Sequence, residues 1–336
     1  MLACVGVALA WCLAVSGGEP WTRAGERGGD VALYESIARR VQGGEGYYDA
    51  MGAELRSRGY QTRSVLNWRT PLHLSLIARL PSSGWAWLLL LVPTGGAIIM
   101  AFAVMVRDGR PVAGLALAPL MLASFQSLMP GGTMYAEVWA GVWIAVSVGA
   151  HCLGWWRVGA TAALLALFFR ELALPYVLIS AWLAHRQQRK SELAVLLVGL
   201  AAYAAYFGWH ASEVLPRMTE TDVEATWREA WIRFGGVRFI LTASRQGLLL
   251  GGPLWVTALY VPVALFGLAG WTNPIALRLL LTVGAYLLAF SVLGRPVQFY
   301  WGAVYNVLLS FGAILSVAAF RDLVRALWLR SPAGTE

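Results

Sequence analysis

Residues 84–106 read GWAWLLLLVPTGGAIIMAFAVMV and contain no charged side chain. A helix crossing a bilayer core needs roughly 20 such residues, and this run supplies them between Ser83 and Arg107. Comparable apolar runs lie at 1–17, 111–129, 133–153, 158–169, 171–184, 192–210, 247–268, 275–293 and 300–319. The chain is 58% hydrophobic and 13% charged, about half the charged fraction of a soluble domain. The expectation is an all-α membrane protein of about ten transmembrane helices, a single bundle spanning residues 1–336.

The runs at 158–169 and 171–184 meet at FFRELALPY. They are too long together for one span, and read as two helices with a polar joint at a membrane surface. The alternative, one broken helix with Arg170 at mid-membrane, is costly. The opening run, MLACVGVALAWCLAVSG, lacks a positive leader and reads as a retained first span rather than a signal peptide.

Basic residues orient the bundle. Cytoplasmic loops, with the N-terminus inside, carry Arg107, Arg110, Arg157, Arg186, Arg189, Lys190, Arg278, Arg321, Arg325 and Arg330. The short outer loops carry Arg170 and Arg295. This is the positive-inside pattern, and it leaves long outer segments at 18–83 and 211–246. The net charge of +8 is therefore topology and lipid headgroup contact. No basic face on a soluble fold points to nucleic acid. Cys4, Cys12 and Cys152 form no disulfide framework.

The first outer segment is expected to fold. VALYESIARRVQ places Val31, Tyr34, Ile37, Ala38 and Val41 on one helical face, with Arg39 and Arg40 away from it. GGEG ends that helix. YYDAMGAELRSRG is a second helix, closed by Gly59. In the second outer segment, Val223, Trp227, Ala230 and Trp231 share a face of an interfacial helix. Together the two segments roof a cavity at the outer surface.

Several residues there carry chemistry. Asp30, in GGDVALYE, is either an N-cap or a general base at the water–lipid boundary. Arg170 and Glu171 are either an interfacial salt bridge or a guanidinium aimed at a phosphate and steered by its acidic neighbour. Arg295, in LGRPVQFYW, is either a snorkelling loop arginine or a third phosphate ligand, and Arg69 in NWRTP is a weaker one. Tyr47, Tyr48, Trp68, Tyr300 and Trp301 are belt aromatics or stacking walls for a sugar ring. The histidines at 73, 151, 185 and 210 are scattered without metal-ligand spacing.

GGDVALYESIARRVQGGEGYYDA, GYQTRSVLNWRTPLHL, FFRELALPY and RPVQFYWGAVYNVLLSFG resemble recurring segments of the GT-C superfamily, polytopic glycosyltransferases that use polyprenyl-phosphate sugars. The resemblance is spread over nearly the whole chain. It implies a catalytic acid at Asp30 and donor-phosphate ligands at Arg170 and Arg295; beside these, Arg69 is read as a further phosphate ligand and Glu171, Tyr47, Tyr48, Trp68 and Tyr300 as substrate contacts. The implied reaction has an acceptor hydroxyl of a glycan, lipid or protein attack the anomeric carbon and expel polyprenyl phosphate. Many members follow the first acid with Glu, whereas Val31 follows it here. Metal use varies in the superfamily, so a divalent metal is left open and no other cofactor is implied.

Other readings are a secondary transporter or flippase for an envelope precursor, and a non-catalytic homologue in envelope assembly. The first is disfavoured by the lack of repeated halves and by charges gathered at span ends. The Arg-for-Lys bias suggests a GC-rich bacterium, with the protein in the inner membrane and its active face outside.

Overall fold

The computed structural model describes residues 29–125, 131–219, 222, 235–245, 252–294 and 296–329. The first apolar run, the interfacial helix expected over 221–236 up to Phe234 apart from Asp222, and Arg295 lie outside them. The described residues are helical, with no strand among them. In chain order the helices are α1 (Gly29–Gln42), α2 (Tyr47–Ser57), α3 (Leu72–Ala78), α4 (Ser83–Arg107), α5 (Pro111–Ser124), α6 (Ala136–Cys152) and α7 (Trp156–Phe169). They continue as α8 (Leu174–Arg186), α9 (Lys190–Val214), α10 (Gly236–Ser244), α11 (Leu254–Ala269), α12 (Ile275–Val292) and α13 (Asn306–Leu329). A 3₁₀ segment, Pro296–Val304, precedes the last helix.

Among the described residues, four helical stretches are long and apolar enough to cross a membrane: Ser83–Arg107, Lys190–Arg217, Ile275–Val292 and Asn306–Trp328. The shorter apolar helices α5, α6, α7 and α11 pack among them. Side chains such as Val92, Ile99, Val112 and Leu288 stay two-thirds or more exposed. A hydrophobic exterior over a packed interior fits an integral membrane protein. α6 runs through the interior and is buried on nearly every side. α11 and α13 approach at Gly267 and Gly312, where a Cβ on Gly267 would lie 1.9 Å from the Gly312 carbonyl oxygen. Small residues permit this backbone contact.

Contacts sort the connections into two ends. At one end, Arg107 Nη1 donates to the Cys152 carbonyl at 3.5 Å. Asp108 accepts from Trp271 Nε1 at 2.6 Å and from Asn273 Nδ2 at 3.1 Å. His151 meets Glu192 there at 3.0 Å. At the other end, α1, α2 and α3 form a layer with its own core of Leu33, Ile37, Met51, Leu55 and Trp68. The layer seats on the last turns of α9, where Val214 joins its core and Tyr48 Oη meets His210 Nδ1 at 3.0 Å.

The expected α1 face is buried through Tyr34, Ile37 and Ala38, with Leu33 added to it. α2 closes as anticipated: Gly59 has φ +70°, a conformation that glycine adopts without strain. FFRELALPY forms a joint between two helices, because Pro175 sits in the first turn of α8, where a missing N–H costs nothing. Some charges lie deeper than expected. Arg278, assigned to a loop, lies in the first turn of α12 at 4% exposure, drawn inward by buried hydrogen-bond partners.

Candidate functional site

A cleft opens where the α1–α3 layer meets the bundle. It is lined by Tyr34, Arg69, Thr70, His73, Leu74, Met134, Ala136, Glu137, Phe169 and Arg170. Its internal space, about 10 Å³, suits one water molecule. Arg170 enters from the extended break after α7, at φ −154° and ψ 124°. That break turns its side chain inward, and it is 2% exposed.

The charges are tightly knit. Arg170 Nε donates to Glu137 Oε1 at 2.8 Å, and Nη1 donates to Glu171. Arg69 Nη2 lies 3.7 Å from the same Glu137 oxygen. Arg69 also donates from Nε to Tyr34 Oη at 3.0 Å and from Nη2 to Tyr300 Oη at 3.3 Å. Its own carbonyl accepts from Tyr47 Oη at 2.8 Å. Two guanidinium groups thus face two carboxylates. Glu137 is 1% exposed and Glu171 is 22% exposed. The Nη2 of Arg170 is buried without an acceptor. An unmade hydrogen bond at a buried charged group is costly, so this nitrogen is a ready donor to whatever enters.

His73 lines the same cleft. Its Nε2 donates to the Thr133 carbonyl at 2.9 Å, which fixes the tautomer and leaves a lone pair on Nδ1. Burial holds its pKa down at about 4, so the ring is neutral. Trp139 and Phe169 flank it edge-on.

Asp30 lies one helical turn before Tyr34 and so shares its face. It stands inside the first turn of α1, after Gly29 at φ +62°, and is therefore not the N-cap. Tyr60 Oη donates to its Oδ1 at 2.6 Å. Burial, and then the charge of Asp30, push the Tyr60 hydroxyl far above its usual range. Burial likewise pushes the Tyr34 hydroxyl up to about 12. Both phenols therefore stay protonated donors. Tyr135 packs against Tyr300 at 4.9 Å with the rings tilted by 37° and meets Tyr34 edge-on at 6.3 Å, giving an aromatic wall beside Asp30 and Arg69.

The structure thus brings together Arg69, Arg170, Glu171, Tyr300 and the main-chain contact of Tyr47, with Asp30 on the adjoining helix face. It does not bring Trp68 or Tyr48 to the cleft. Trp68 is 2% exposed, donates from Nε1 to the Thr62 carbonyl at 2.9 Å and packs against Gly52. Tyr48 is committed to His210. Both are core residues of the α1–α3 layer, because that layer has an interior of its own to fill. Glu137, His73, Tyr34 and Tyr135 were missed as site residues. Glu137 had a visible signal, a lone acid within the apolar run 133–153. Among the described residues no three His, Cys, Asp or Glu side chains converge as a metal-binding set.

Comparison with protein-family models, with curated proteins and with solved structures gave no match.

Proposed function

We propose that this chain is a membrane glycosyltransferase that moves a sugar from a polyprenyl-phosphate donor to an acceptor hydroxyl at the outer face. The observation that supports it most is the buried Arg69–Glu137–Arg170 array, with an Arg170 nitrogen lacking an acceptor below the layer that carries Asp30. In this reading Asp30 takes the proton of the acceptor hydroxyl. The oxygen attacks the anomeric carbon, the bond from that carbon to the phosphate oxygen breaks, and polyprenyl phosphate leaves with the electron pair. Guanidinium groups aimed at the leaving phosphate stabilise its charge as it develops. Glu171, the more exposed carboxylate, yields Arg170 to the incoming phosphate, and the outer layer lifts to admit the sugar. A bundle of about ten spans with both ends inside accords with the sorting of connections into two ends. In this reading Asp30 faces the outside of a bacterial inner membrane.

The test is incubation of the purified protein with a panel of polyprenyl-phosphate sugars and an acceptor extract. Release of polyprenyl phosphate, lost in Arg170→Ala and weakened in Arg69→Ala, supports the reading. No release from any donor tried with membranes that make the acceptor removes it. A second reading has one observation behind it: Glu192, Arg278 and His151 are ionisable groups buried together at the other end of the bundle, and buried ionisable groups are a feature of transporters. Uptake of a labelled precursor into vesicles without sugar transfer would favour it.

A further inference from the structure

At the end of the bundle opposite the cleft, His151 closes α6, Glu192 lies in the first turn of α9 and Arg278 in the first turn of α12. The imidazole Nδ1 is 2.7 Å from the Ser147 carbonyl oxygen, and Nε2 is 3.0 Å from Glu192 Oε1. The Ser147 hydroxyl, 3.4 Å from Nδ1, gives its own proton to the Gly159 carbonyl at 2.6 Å. It accepts from Tyr176 Oη at 2.8 Å. With Glu192 ionised, each ring nitrogen therefore faces oxygens that have no proton to offer. A neutral imidazole has one N–H and one lone pair, and only the imidazolium has two N–H donors.

We propose that His151 and Glu192 form a buried proton-binding site, in which an imidazolium donates from Nδ1 to Ser147 and from Nε2 to Glu192. The proton resides on the ring because two arginines keep Glu192 ionised. Arg278 Nη2 lies 3.7 Å from its Oε1, and the half-exposed Arg189 lies 3.4 Å from its Oε2. Arg278 is itself held by Ser180 Oγ at 2.8 Å. Burial and the neighbouring Arg278 guanidinium oppose the imidazolium, and the Glu192 carboxylate in hydrogen-bond contact with Nε2 favours it. The other titratable groups nearby are Tyr176 on α8 and Cys152 on α6, with Arg107 on the Cys152 carbonyl.

The ring is seated against α7 at Gly159, where a Cβ would lie 2.3 Å from Nδ1. Loss of the proton leaves a lone pair on Nε2 facing a carboxylate inside the protein, and the tie between α6 and α9 is broken. The site's contribution to stability is thus present at low pH and lost as pH rises.

Thermal unfolding of the purified full chain in detergent from about pH 5 to about pH 9 tests this, in the wild type and in Glu192→Gln. The glutamine amide donates an N–H to a neutral Nε2 and needs no extra proton. The wild-type midpoint should fall relative to the variant as pH rises. Parallel profiles, or a wild type that gains on the variant at high pH, overturn the proposal. If Glu192→Gln does not fold, nitrogen-15 spectra of labelled histidine in the wild type decide. At about pH 8, where an exposed imidazole is neutral, one of the 4 histidines should remain doubly protonated. Four neutral rings overturn the proposal.

Discussion

Glu137 accepts the Nε–H of Arg170 at 2.8 Å with both side chains at most 2% exposed, and Arg69 closes on the same carboxylate oxygen at 3.7 Å. One acid in the first turn of α6 therefore binds the joint after α7 and the NWRTP segment of the outer layer to the bundle. Breaking a buried pair from one side strands a charge, at a cost of about 3–5 kcal/mol. Glu137→Gln should lower the unfolding midpoint markedly, whereas Glu171→Gln, at a partly exposed carboxylate, should cost less. Equal midpoints for the two variants would show that Glu137 is not the structural partner of both arginines.

The outer layer has an acid-sensitive tie. Arg56 Nε donates to Asp222 Oδ1 at 2.7 Å, Thr62 Oγ1 donates to the same oxygen at 2.8 Å, and the Thr219 N–H reaches Oδ2 at 2.8 Å. The Arg56 hydrogen bond is the largest influence holding the Asp222 carboxyl down, at about 2. A depressed carboxylate stabilises the fold above its ordinary pKa of 3.8, and that contribution is lost as pH falls toward about 2. The unfolding midpoint of the wild type should drop more than that of Asp222→Asn between about pH 6 and about pH 3. The same drop in both would place the acid sensitivity elsewhere.

Topology is open to direct labelling. Ser57 ends α2 in the outer layer and Gln187 caps α8 at the other end, and both are exposed. Gln187 is a better cysteine site than Gln188, whose φ of +57° strains most side chains. An impermeant thiol reagent added to intact cells should label Ser57→Cys and spare Gln187→Cys. The reverse pattern would turn Asp30 and Arg170 toward the cytoplasm and end the proposed function.

Hydropathy made the helices legible because burial in lipid or protein demands the same uninterrupted apolar run. α4 and α12 fall within a residue of the runs at 84–106 and 275–293. Periodicity likewise gave the α1 face, and a single glycine gave the end of α2. What hydropathy averages away is the isolated charge. Glu137 vanished inside the run 133–153 and Glu192 at the edge of 192–210, and both turn out to organise buried networks. The aromatics were ambiguous for a different reason. Trp68 lies between Asn67 and Arg69 and Tyr300 between Phe299 and Trp301, yet Trp68 fills the core of the α1–α3 layer and Tyr300 reaches Arg69. Only the tertiary partner separates those roles.

Asp30 is where activity and stability can be separated most cleanly. The cap reading no longer applies, because Asp30 lies within the first turn of α1 and accepts from Tyr60 instead. In Asp30→Asn the amide oxygen still accepts from Tyr60, and the helix loses only the favourable charge at its N-terminus, about 0.3–1 kcal/mol. The unfolding midpoint should therefore change little. General-base catalysis contributes typically ~10²–10⁴-fold, so release of polyprenyl phosphate should fall by about that factor, because an amide cannot take the acceptor's proton. Tyr60→Phe removes the hydrogen bond that orients the carboxylate but leaves the base, and should cost less. Glu35→Gln, exposed on α1, should keep wild-type turnover. If Asp30→Asn releases polyprenyl phosphate as fast as the wild type in an assay where the wild type is active, Asp30 is an acceptor for Tyr60 and nothing more, and the base must be sought among the other groups that face the cleft.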